Sequence, residues 1–85
     1  MNYQNEKYLF DELKQFEPGN PSSLFPRSVI NRMILNGMIK SEKEAERTLE
    51  KWVKKNIYEY GVSMDLGWLT PEYKDKEFDN IRIKD

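Results

Sequence analysis

Residues 36–55, "NGMIKSEKEAERTLEKWVKK", hold the end of one helix, a short turn and the whole of the next, and their reading decides the fold. Gly37 suits the left-handed backbone position just past a helix C-terminus. Asn36 precedes it, and Met38 supplies the apolar contact that accompanies such a cap. Four residues on from Gly37, Ser41 and Glu44 have the S-x-x-E spacing of a capping box, in which each side chain accepts from the other residue's backbone N–H. A third helix is therefore expected from Ser41. At 100° per residue, Ala45, Leu49, Trp52, Val53 and Asn56 share one arc, and Lys43, Arg47, Lys51, Lys54 and Lys55 lie opposite within about 120°. Glu42, Glu46 and Glu50 border the two, and Glu44 sits inside the basic arc.

Upstream, "SSLFPRSVINRMILNGM" (22–38) reads as a second helix. Ser22 or Ser23 is its cap, Pro26 lies in or near its first turn, and Val29, Ile30, Met33 and Ile34 form its apolar face. Before it, "EPGNP" (17–21) stops a first helix, because Pro18 and Pro21 cannot continue the hydrogen-bond ladder. That first helix is expected from Asn2 to Phe16, capped by Asn2 or Asn5, with Leu9, Leu13 and Phe16 at helical spacing.

Downstream, "IYEYGVSMDLGWLT" (57–70) alternates β-branched and aromatic residues, the mark of a hairpin. Strands are expected at 57–64 and 67–70 around a turn at Asp65–Gly67, with Gly61 as an alternative bulge. Residues 71–85 are mostly charged. They read as a C-terminal tail in which Phe78, Ile81 and Ile83 supply the anchors of a short edge strand.

The composition is that of one small domain: 85 residues, 38% hydrophobic, 34% charged, formal net charge −1. With no Cys and no His, disulfides, thiolate or imidazole metal ligands and His- or Cys-dependent nucleophiles are excluded. Asp11 and Glu12 are adjacent and diverge on a helix, so paired-carboxylate catalysis has no support. The expectation is a non-enzyme with no cofactor. No apolar run has the roughly 18–20 residues that span a bilayer, and "MNYQNEKYLF" lacks a signal-peptide pattern, so a cytoplasmic protein without membrane contact is expected.

The order helix, turn, helix, Gly-containing turn, helix, hairpin resembles the winged helix-turn-helix superfamily over about residues 3–70. It implies a mainly α fold with a small β-hairpin, in which residues 1–70 form a three-helix core plus wing, and in which the third helix enters the DNA major groove. A second resemblance comes from "FDELKQFEPGNPSSLFPRSV" (10–29), where a helix ends in Pro-Gly and Ser-Leu-Phe follows. It is similar to the small winged-helix proteins of staphylococcal cassette-type mobile elements, a family associated with single-stranded DNA and replication. The implication is a regulatory or replication-accessory protein of a mobile element or phage.

Beside the resemblance, the residues offer their own candidates. Lys43, Arg47, Lys51, Lys54 and Lys55 extend for about 18 Å at 1.5 Å per residue, a stretch a major groove accommodates. The column contains the like-charge i, i+4 pairs 43/47, 47/51 and 51/55, each unfavourable by roughly 0.2–0.5 kcal/mol, which helix stability alone would not select. Against this, acids early and lysines late are what the helix dipole prefers, and a charged face is usually only solvated. Arg27 and Asn31, with Arg32, add candidate phosphate or base contacts. Tyr58 and Tyr60, with Trp68 and Tyr73, are candidate stacking platforms for unpaired bases, although aromatics in so small a domain are more often core. Two functions stand on these residues. One is DNA binding, duplex or single-stranded, by a monomer or homodimer. The other is a module that docks on a replication or transcription protein, which the net charge of −1 favours.

Overall fold

The computed structural model describes residues 1–18, 26–62 and 65–81. Helix α1 (Tyr3–Leu13) starts where Asn2 Oδ1 accepts from the Asn5 amide at 2.8 Å, so Asn2 is the cap. The Asn5 side chain instead donates to Met38 O at 2.7 Å, tying the start of α1 to the turn after α2. Residues 14–16, expected to be helical, form a tighter turn in which the Phe16 amide bonds Leu13 O and the Phe16 ring is buried. The expected caps Ser22 and Ser23 lie outside the described residues.

Helix α2 (Pro26–Leu35) opens on its proline, whose missing N–H costs nothing at that position. It buries Val29, Ile30 and Met33. Gly37 has φ +74°, its amide bonds Ile34 O, and the Met38 amide reaches back to Met33 O at 2.9 Å. This is the full Schellman arrangement that the Asn-Gly-Met sequence implies.

Helix α3 (Glu42–Lys54) departs from the capping box. Ser41 is its N-cap residue, but the Ser41 side chain makes no capping bond, and Glu44 Oε2 accepts from the Lys40 amide, one residue further back. The inward arc is Ala45, Leu49, Trp52 and also Thr48, whose hydroxyl donates to Glu44 O. Asn56 does not join that arc. It has φ +60°, its amide bonds Val53 O, and the Ile57 amide bonds Trp52 O, so it terminates α3 in the way Gly37 terminates α2.

Ile57, turned inward by that cap, leads into β1 (Tyr58–Tyr60), which pairs antiparallel with β2 (Gly67–Leu69) in the register 58/69, 59/68 and 60/67. The ribbon is shorter than the alternation suggests. Gly67 is a strand residue and not part of a turn, and the Gly61 amide closes the loop on Leu66 O. Ser63 and Met64 lie outside the described residues.

The C-terminal segment is not an edge strand over its described part. Helix α4 (Pro71–Lys74) and a 3-10 turn (Phe78–Asn80) cross α1, held by Lys74 on Glu17 and by Lys7 on Asp79 at 3.0 Å. Phe78 enters the core, its ring 5.4 Å from those of Phe10 and Tyr3 and 6.2 Å from that of Trp52. The structure is thus mainly helical with one small antiparallel hairpin, and its core is shared by α1, α2, α3, the base of the hairpin and Phe78 of the C-terminal strap. Ile83 lies outside the described residues.

Candidate nucleic-acid interface

Because Ala45, Leu49 and Trp52 turn inward, the opposite side of α3 faces solvent. Lys43, Arg47, Lys54 and Lys55 are exposed there, and Lys51 is half-buried. Arg47, Glu50, Lys51, Lys54 and Lys55 line one shallow open depression, and Met1, Glu44, Arg47, Thr48 and Lys51 line a second. Both are open to solvent, and the first is rimmed mainly by cationic side chains, whose charge suits an anion such as a backbone phosphate.

Charge pairing separates this face from the rest of the molecule. Elsewhere, Lys7 meets Asp79, Lys14 meets Asp11 at 4.0 Å, Arg32 meets Glu12 at 3.8 Å, Lys74 meets Glu17 and Lys76 meets Glu72 at 3.9 Å. Lys51 is drawn to Glu6 of α1 at 3.3 Å. Among the described residues, Lys43, Arg47, Lys54 and Lys55 have no carboxylate within 4.0 Å, and Lys40 just before α3 is in the same position. A net charge of −1 therefore conceals a local excess of unpaired positive charge on one helix face. Glu44, inside the arc, has its carboxylate on the Lys40 amide at the helix start.

Other candidates fall elsewhere. Arg27 is not a free phosphate donor: its Nε is 2.8 Å from Asp65, and its terminal nitrogens are 2.6 Å from Glu42 and 3.8 Å from Glu46. The hydrogen bonds it donates to the Asp65 and Glu42 carboxylates hold its pKa above even the ordinary arginine value. Asn31 is exposed on α2, and its neighbour Arg32 turns toward Glu12.

The aromatic candidates are not displayed for stacking. Tyr58 is 1% exposed, its hydroxyl has no partner among the described residues, and burial pushes its phenol pKa well up. Tyr60 packs edge-on against Tyr58 at 5.5 Å and is half-buried; burial, then Glu50 and Glu46, raise its pKa. Trp68 is half-buried and donates Nε1–H to Glu59 at 2.6 Å, while Tyr73 carries the Lys76 ammonium 4.7 Å from its ring centre.

Sequence reasoning missed the Arg27 hub and the Lys51–Glu6 pair. Both join residues 15–45 positions apart, for which local spacing carries no signal. Among the described residues no group of three His, Cys, Asp or Glu side chains is arranged to hold a metal ion, and no helix is long and apolar enough to cross a membrane. Set against protein-family models, curated proteins and solved structures, the chain matches none of them.

Proposed function

We propose that this chain is a non-enzymatic nucleic-acid-binding protein of winged-helix type, acting in the cytoplasm, that neutralises backbone phosphates with Lys43, Arg47, Lys54 and Lys55. The supporting observation is the sorting of charge: among the described residues, six cations on other faces or flanks are held by carboxylates, while these four, on one side of one helix, and Lys40 just before it are not. Lys51 contributes field more than contact, since Glu6 already holds it.

Duplex is favoured over single-stranded nucleic acid. Binding unpaired bases relies on exposed rings worth about 1–3 kcal/mol per stacked base. The candidate rings Tyr58, Tyr60 and Trp68 are buried or half-buried. The test is a pair of charge-matched double variants. Arg47→Gln with Lys54→Gln should weaken duplex binding about tenfold or more at low salt, whereas Lys14→Gln with Lys76→Gln, the same change in net charge on other faces, should leave it within about twofold. Equal loss in both would mean that net charge and not this face governs binding.

A further inference from the structure

Arg27 stands at the start of α2, outside the basic face, yet its guanidinium joins three carboxylates from two other elements. Asp65 belongs to the loop between β1 and β2, at 2.8 Å; Glu42 and Glu46 belong to the first turns of α3, at 2.6 and 3.8 Å. The planar fork of arginine is suited to such sharing, and a lysine in its place would act as a single point charge. Pro26, immediately before it, fixes the backbone from which the side chain departs.

The hairpin needs such a fastening. It has three residues in each strand, and a two-stranded ribbon of that size does not hold its own orientation in water. Its base is secured in the core by Tyr58 and Leu69 and by the Thr70 amide on Ile57 O, but its far end is reached by the Arg27–Asp65 pair. The same guanidinium draws Asp65 together with Glu42 and Glu46 of α3.

We infer that Arg27 is a positioning residue that fastens the far end of the hairpin to α3, and that binding of nucleic acid by the basic face depends on that placement. The second half rests on the function proposed above. Positioning and simple charge neutralisation make opposite predictions at Asp65. Asp65→Asn removes a negative charge from a protein that binds a polyanion, so electrostatics alone would tighten binding. Loss of the fastening would weaken it.

The experiment measures duplex binding by fluorescence anisotropy at fixed salt for wild type, Asp65→Asn, Arg27→Lys and Arg27→Gln, together with amide hydrogen exchange in the same variants. Asp65→Asn is expected to raise Kd about three- to tenfold, and Arg27→Lys by a similar factor. In both, the Gly61 amide, bonded to Leu66 O across the loop, should exchange about tenfold faster or more, with the Trp52 amide of α3 unchanged. Unchanged or tighter binding by Asp65→Asn overturns the dependence of binding on placement, and an unchanged Gly61 exchange rate overturns the fastening itself. A wild-type protein that binds no duplex overturns the proposed function and the binding half of the inference, while exchange at Gly61 still decides the fastening.

Discussion

Gly67 has no side chain to give, because the phenol of Tyr58 occupies the space where a Cβ would be. The overlap is with a ring that is itself fully enclosed, so neither residue can move aside without opening the core. Gly67→Ala should therefore destabilise the fold by about 1–3 kcal/mol or more, read as a lowered midpoint in chemical denaturation. The same burial makes Tyr58 a titration marker. Its pKa is raised in the folded state above the ordinary 10.0, so its contribution to stability is fully present below pH 10 and is lost as pH rises from 10 toward the folded value. Denaturation midpoints at pH 9 and 11 should differ more for wild type than for Tyr58→Phe; equal differences would place the phenol in water. From sequence, Tyr58 is a candidate stacking residue but more readily a core residue. The choice depends on which side of β1 meets α3, and that follows from Asn56 ending the helix where it does.

Among the elements, α3 was the most legible in sequence, since an inward arc and a charged arc are periodic signals within one stretch of chain. Its end was not. Asn56 falls at a helical position relative to Leu49 and Trp52, and only the backbone reveals its left-handed φ of +60°. Asn56→Gly should be neutral or slightly stabilising, and Asn56→Val should cost about 1 kcal/mol or more in thermal or chemical denaturation. Gly37 was readable because glycine announces a positive φ more plainly than asparagine does. Residues 71–81 misled for a different reason. Phe78 and Ile81 stand among charges with no periodicity, and the site Phe78 fills is built by Phe10 and Trp52, dozens of residues away. Phe78→Ala is expected to cost about 3–5 kcal/mol, the range for emptying an aromatic site in a core. A loss under about 1 kcal/mol would make the strap an ornament of the fold rather than a part of it.

At the scale of the whole molecule, the net charge of −1 is a poor guide to the field that a ligand meets. Close to α3 the field is set by its own exposed cations, while the carboxylate surplus lies partly around Arg27. The basic column was visible in the sequence, but its meaning was not, since a solvated helix face has the same letters. The folded chain adds which cations are paired, Lys7 with Asp79, Arg27 with Asp65 and Lys74 with Glu17, and the binding measurement decides between the two. The most direct measurement is the affinity of wild-type protein for a labelled duplex across a salt series. Four phosphate contacts predict a log–log slope of about −3.6, falling to about −1.8 for Arg47→Gln with Lys54→Gln. No binding by micromolar protein at low salt, or a slope that the double variant leaves unchanged, would contradict the assignment of the α3 face as a phosphate surface.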